Sequence, residues 1–376
     1  MDVALSEDQQ MLLDMTRRFV GDRSPIGAVR KQADTGSSFD RAVWKEAAQL
    51  GWVALFVPEE HGGIAESSDG VIDAAIVAEE LGRVVYSGPF ISTCVAAAAI
   101  ANAGTPAQQA LWLPPLANGE ALAAWCFAGK SPMAGAEPGG VRAARSGDGF
   151  MLDGTACYVE DAAIADILLV TAQSDDGIMQ FLVPLDAQGV AIAPLAGLDL
   201  GRRIADVRFD GVALTADALL GEPGDAAAQA FERQLQITLA LQCAETVGVT
   251  DRAFEFTMEW VRDRYAFNRP IGSFQALKHR LADHITQLEG AKAAAAHAAR
   301  SVQTGAPDAA IAVSVAKSQC GRFATEIIRD CVQLHGGIGL TWEHDIHFYL
   351  RRAVSNEALF GSPAAHHERL CRLAGL

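Results

Sequence analysis

Apolar residues recur at helical spacing through the first third of the chain. Met11, Leu12, Met15 and Phe19 share one face, and Ser6-Glu7-Asp8-Gln9 ahead of them reads as a capping box. A second helical pattern runs from Phe39 to Leu50. Val57-Pro58-Glu59-Glu60-His61-Gly62-Gly63 breaks the period with Pro and a Gly pair and reads as a loop. Ala74–Leu81 and Ile91–Ala103 are apolar enough for buried helices, and Pro114-Pro115 with Gly119 mark a boundary.

From about Ala121 the pattern shortens. Alternating or β-branched runs at Ala123–Ala128, Phe150–Leu152, Ile167–Thr171, Met179–Pro184, Val190–Pro194 and Ala205–Phe209 are separated by Gly and Asp turns, which predicts strands. From Asp225 the helical period returns over Gln229–Asp263, Gln275–Thr304, Pro307–Leu334 and Ile346–Leu359. Long helices in succession predict an antiparallel bundle. The expected fold class is α+β, with an N-terminal helical domain (1–120), a middle β domain (121–224) and a C-terminal antiparallel helical bundle (225–376).

Composition narrows the function classes. The chain has 376 residues, half of them hydrophobic, and a formal charge of −16. That balance argues against nucleic acid and anionic membrane surfaces, while leaving room for an anionic ligand in a local cationic pocket. Seven scattered cysteines form no CxxC and are odd in number, which reads as reduced thiols in a cytoplasmic protein. The acidic, amphipathic N-terminus is no signal peptide, and no apolar run is long enough for a membrane span.

Two strings stand out at helix junctions: Arg264-Tyr265-Ala266-Phe267-Asn268-Arg269-Pro270-Ile271-Gly272-Ser273-Phe274-Gln275, and Gln333-Leu334-His335-Gly336-Gly337-Ile338-Gly339. With the VPEEHGG loop at 57–63 and Glu79-Glu80-Leu81-Gly82, they resemble the acyl-CoA dehydrogenase family across essentially the whole chain. The resemblance implies FAD as cofactor and α,β-dehydrogenation of an acyl-CoA thioester, with an electron-accepting flavoprotein downstream. It implies FAD contacts from Arg264, Phe267, Gln275, Gln333, Gly336 and Gly337, reaching a neighbouring subunit's flavin in an oligomer, most often a tetramer. An Arg offers a fork of donors to the diphosphate, a Phe packs on the flat dinucleotide, and Gly permits close backbone approach. The bland reading is that Arg264 caps a helix C-terminus and the Gly pair merely ends one.

The chain departs from the family pattern where chemistry is done. The middle-domain TEPxxGSD loop is replaced by Ala128-Gly129-Lys130-Ser131-Pro132-Met133-Ala134-Gly135, and the later W-x-T by Tyr158-Val159-Glu160. A carboxylate at Glu160 is unfavourable beside an electron-rich flavin. Where the family places its basic Glu after the last long helix, this chain has Phe360. At the alternative position early in the first bundle helix it has Thr238. Two other carboxylates compete for the role. Glu245 lies in Ala244-Glu245-Thr246-Val247-Gly248, where apolar surroundings would raise its pKa; the other reading is a buried helix-pairing Glu. Glu357 is nearly one turn before Phe360 and would project near the same pocket. His366-His367 reads as exposed sequence beyond the last helix, and no metal-ligand spacing accompanies it.

Three functions stay open: one subunit of a heteromeric dehydrogenase whose base comes from a related partner chain, as in certain steroid-degrading members; a self-sufficient homo-oligomer using Glu245; and a catalytically silent binding or scaffold protein. Lipid or steroid catabolism is the expected setting.

Overall fold

The capping box at Ser6 forms as the sequence requires. Gln9 N–H donates to Ser6 Oγ and Ser6 N–H to Gln9 Oε1, each at 3.1 Å, and α1 (Glu7–Arg23) begins there. The structure, a computed structural model, describes residues 5–35, 39–65, 70–130 and 137–376. The N-terminal helices continue with α2 (Ile26–Thr35), α3 (Arg41–Ala48), α4 (Val71–Arg83), α5 (Phe90–Ala103) and α6 (Pro106–Ala117). The Pro114-Pro115 pair and Gly119 do stand where the N-terminal helices give way to the sheet. The Pro pair lies inside α6, close to its end, and the helix stops after Ala117.

The middle region is a seven-stranded mixed sheet: β1 (Ala123–Cys126), β2 (Val141–Ser146), β3 (Gly149–Glu160), β4 (Ile167–Ser174), β5 (Gly177–Pro184), β6 (Val190–Leu195) and β7 (Ile204–Leu214). β1 runs parallel to β4, whereas β3 pairs antiparallel with both β2 and β7. Strand β2 escapes the sequence pattern because only Val141 and Ala143 are buried among polar neighbours. The β3–β7 register shifts between Ala156 and Val159. Such a bulge re-aims the side chains within it. Those are Cys157 and Tyr158, and Tyr158 has a positive φ of 56°.

The bundle comprises α7 (Asp225–Asp263), α8 (Gln275–Gln303), α9 (Ala309–His335), α10 (Ile346–Ala358) and α11 (Pro363–Leu373). A two-residue-strand hairpin, β8 (Tyr265–Ala266) and β9 (Arg269–Pro270), joins α7 to α8. Helix α11 was not expected, although Ser362-Pro363 carries its signal: Ser362 Oγ accepts from Ala365 N–H at 3.3 Å, and Pro fills the first turn. This overturns the reading of His366 as exposed; it is 1% accessible.

α4 packs tightly on α7, and glycine permits it. A Cβ on Gly82 would lie 2.1 Å from the Glu245 carbonyl oxygen, and one on Gly248 would lie 1.9 Å from that of Glu79. The Glu-Glu-Leu-Gly string thus marks a helix crossing. Arg83 secures it with 2.6 Å contacts to both Asp251 and Glu255. No helix of the described residues is long and apolar enough to cross a membrane.

Candidate active site

The two family-like strings meet through one side chain. Trp260, on the last turn of α7, donates Nε1–H to Leu334 O at 3.1 Å and stacks on His335, ring centroids 5.2 Å apart. The Arg264 guanidinium lies over the other end of this contact, 5.8 Å from the Trp260 ring. Beyond Arg264 the hairpin turns at Phe267 (φ 53°) and Asn268 (φ 62°), the positive φ pair that a two-residue hairpin turn needs. The turn leaves the Phe267 ring 89% exposed. Gly336 ends α9 at φ 65°, ψ −140°, a conformation open essentially to Gly alone. A Cβ on Gly336 or Gly337 would meet nothing within 4 Å.

Arg264, Phe267, Gln275, Gln333, Gly336 and Gly337 are therefore all exposed. They leave donors, an aromatic ring and open backbone at the surface, and Trp260 ties the two strings together there. Arg264 does also stand at the C-cap of α7, through its own N–H to Trp260 O.

A separate cleft opens between the sheet and the bundle. Its walls include Trp125, Phe127, Cys157, Tyr158, Glu160, Thr238 and Phe360, and none of the six surface residues. The two places where the family pattern expects a base, one on α7 and one after α10, thus converge on one cleft. Neither carries a carboxylate. The Thr238 hydroxyl is turned back onto its own helix, donating to Gln234 O at 2.9 Å. The Phe360 ring stacks on Phe127, centroids 6.1 Å apart and planes 16° apart, and Phe127 in turn packs on Trp125 and Phe231. Residues 131–135 of the altered middle-domain loop lie outside the described residues.

The carboxylates nearest this cleft are held by arginines. Arg202, on the segment leading into β7, donates to Glu160 and to Glu245, and to Asn356 Oδ1 at 2.7 Å. Arg352, on α10, donates to Glu245 Oε1 at 2.7 Å, to Asp199, and to Tyr86 O at 3.0 Å. Asn356 Nδ2 completes the shell of Glu245 at 3.0 Å. Burial pushes the Glu245 carboxyl up, but the two guanidiniums and Asn356 outweigh it and hold it below the usual carboxylate range. The apolar surroundings expected of Glu245 are not there. Short-range sequence showed the Ala, Val and Gly beside it; Arg202 and Arg352 arrive from 43 and 107 residues away. The concern over Glu160 is answered in the same way, since its charge is balanced by Arg202.

Glu357 does not project toward Phe360's cleft. Its carboxylate accepts from Thr325 Oγ1 at 2.6 Å and lines a polar groove with Arg322 and Arg329. Lys317, which sequence reading passed over, and His366, which it took as exposed, both reach the Phe360 turn. The described residues contain no cluster of three or more His, Cys, Asp or Glu suited to a metal ion.

A three-part fold with a sheet-to-bundle cleft defines a class, and the comparisons identify it. Residues 6–120 match the acyl-CoA dehydrogenase N-terminal domain and residues 228–373 the acyl-CoA dehydrogenase C-terminal domain. Acyl-CoA dehydrogenase IpdE2 of Mycobacterium tuberculosis is 32% identical over 97% of this chain and 96% of its own. Among solved structures, the ChsE4-ChsE5 complex from Mycobacterium tuberculosis superposes with a TM-score of 0.87 at 28% identity, covering 100% of this chain and 99% of that one. A glutaryl-CoA dehydrogenase from Mycobacterium smegmatis in complex with FADH2 gives 0.85 at 25% identity, covering 99% and 96%.

The chain belongs to the acyl-CoA dehydrogenase family. It is an oxidoreductase acting on acyl-CoA, and FAD is its cofactor. The family resemblance and the expected α+β fold class hold.

Proposed function

We propose that this chain is one subunit of a heteromeric, FAD-dependent acyl-CoA dehydrogenase, in which a homologous partner chain supplies the carboxylate that takes the α proton. One observation carries this: both base positions face one cleft, and they hold Thr238 and an aromatic stack at Phe360. A hydroxyl hydrogen-bonded to its own helix and a phenyl ring do not accept a proton at neutral pH, and loss of a general base typically costs about 10²–10⁴-fold in rate. Glu245 is proposed as a tie between domains, because two arginines already use its charge.

The proposed division of labour assigns the exposed residues to FAD. Arg264 would meet the diphosphate of FAD with its fork of donors, Phe267 would pack on the flat dinucleotide, and the Gly336-Gly337 backbone would approach its adenosine end. Bound FAD supplies the hydride acceptor for the β carbon. The complex named ChsE4-ChsE5 is a two-component relative, which supports a partner of the same fold. The acyl group is proposed to be bulky, as the resemblance to steroid-degrading members implies.

Co-expression with a family member that keeps its carboxylate, followed by the flavin-to-chain ratio and acyl-CoA-dependent dye reduction, tests the reading. The expected result is a stable complex, yellow and active only when both chains are present. Ordinary turnover by this chain alone, abolished by Glu245→Gln without unfolding, overturns it in favour of a self-sufficient enzyme. Colourless protein, alone and with every such partner, overturns it in favour of a scaffold.

A further inference from the structure

The turn that carries Phe360 is gripped from behind. Phe360 has φ 60° and Gly361 has φ 98°. For a bulky side chain the left-handed region is a genuine outlier, kept only where surroundings enforce it. Here the enforcing groups are two buried side chains. Lys317, on α9 and 2% exposed, donates to Leu359 O at 2.7 Å, to Asn356 O, and to Gln242 Oε1 at 2.5 Å. His366, on α11, meets Phe360 O through Nε2 at 2.9 Å.

Three features make this a clamp on one turn. An ammonium is costly to bury unless each of its donors is used, and this one's three N–H groups face three oxygens. The acceptors at Asn356 and Leu359 belong to the end of α10, where carbonyls lack helix partners and a cation is favoured by the dipole. His366 takes the next carbonyl along. The result is that the Phe360 ring stacks on Phe127 in the cleft whose walls also hold the buried Cys157 and Thr238.

We propose that Lys317 and His366 are positioning residues that hold the Phe360 turn shut over this chain's own cleft, so that the cleft does not admit an acyl thioester. The inference rests on the base-lacking reading given above. A cleft without a base that still took the thioester would hold substrate without turning it over. Closing it leaves the partner's cleft as the place of occupancy.

Cys157 reports on this directly. It is buried in the cleft wall, Cys94, Cys126 and Cys331 are buried away from the cleft, and Cys371 is exposed. The full-length chain, with its partner where the two co-purify, is treated with N-ethylmaleimide for timed intervals and the cysteines are resolved by peptide mass spectrometry. In the wild type Cys157 is modified far more slowly than Cys371. In Phe360→Ala, Lys317→Met and His366→Ala its rate rises by about ten-fold or more, the scale of a local opening, while Cys94, Cys126 and Cys331 stay protected. His366→Gln, which keeps an N–H donor, retains slow modification.

Cys157 reacting as fast as Cys371 in the wild type overturns the proposal. So does slow modification in Phe360→Ala and His366→Ala, two variants that leave the Lys317 ammonium in place should Lys317→Met not fold. Acceleration of all buried cysteines together also overturns it, since that is general loosening. The readout needs neither turnover nor a partner. Failure of the clamp is therefore distinct from failure of the subunit assignment, which shows as turnover by this chain alone.

Discussion

Arg352 donates to Glu245 across 2.7 Å, joining α10 to α7 at a point where both side chains are buried. The same guanidinium reaches Asp199 and Tyr86 O, so one side chain ties the bundle, the sheet domain and the N-terminal helices together. A buried pair broken on one side leaves an uncompensated charge.

Glu245→Ala is therefore expected to destabilise the chain by roughly 3–5 kcal/mol, with Glu245→Gln milder because it keeps hydrogen bonding. Urea unfolding followed by circular dichroism measures this. Dye reduction by the assembled complex should survive Glu245→Gln under conditions where the protein remains folded. Loss of turnover with unchanged folding would mean that Glu245 acts in the chemistry.

Arg264→Ala is expected to weaken FAD retention in the complex by about ten- to a hundred-fold, corresponding to a charge-assisted contact of roughly 1.5–3 kcal/mol. Arg264→Lys restores the charge without the fork and should fall between. Flavin absorbance of protein equilibrated at limiting FAD is the measurement. An unchanged flavin content would place Arg264 outside the cofactor site, as a helix cap over Trp260 only.

Phe360→Glu is not expected to confer turnover on this chain by itself. The new carboxylate would sit against Phe127 in an aromatic cleft, where burial favours its protonated form. The bulged segment with Tyr158 and Glu160 would also remain, and catalytic geometry must hold within a fraction of an ångström. Acyl-CoA-dependent dye reduction by the purified variant without partner checks this. A rate near that of the complete complex would show that the cleft lacks nothing but the base.

Acid is expected to loosen the Phe360 turn. Burial pushes the His366 imidazole down to about 4, against an unfolded value near 6.5. Its Nε2 is engaged at Phe360 O and its Nδ1 has no partner among the described residues, so a second proton would have no acceptor. The folded pKa is depressed, so the unfolded chain binds more protons between these values. The stability is whole above about pH 6.5 and is lost as pH falls toward 4. At pH 5 the loss from this one group is about 2 kcal/mol. Urea midpoints at pH 7.5 and pH 5 should differ less in His366→Gln than in the wild type. An equal difference in both would assign the acid sensitivity to other groups.

Periodicity was enough for most elements. The capping box at Ser6, the long bundle helices and the strands with apolar alternation all follow local rules, and each forms where those rules place it. The strings at 264–275 and 333–339 were legible through their resemblance to the family's motifs, while the hairpin that shapes the first appeared only in the structure. Strand β2 was not, because an edge-like run with two buried alanine-sized or valine-sized positions carries little pattern. Helix α11 was signalled by Ser362-Pro363, but the two histidines that follow look polar in one dimension.

What surrounds a charge was decided only by the tertiary structure. Glu245 has apolar neighbours along the chain and cationic neighbours in space, and electrostatics acts through space. Thr238 and Phe360 are 122 positions apart, yet α7 and the turn after α10 bring them to one cleft beside residues of β1 and β3. The sequence by itself determined which residues stand at the base positions and that neither is a carboxylate. Packing alone determined that Phe360 is stacked on Phe127 and held by Lys317 and His366, since those contacts join segments that no local propensity brings together.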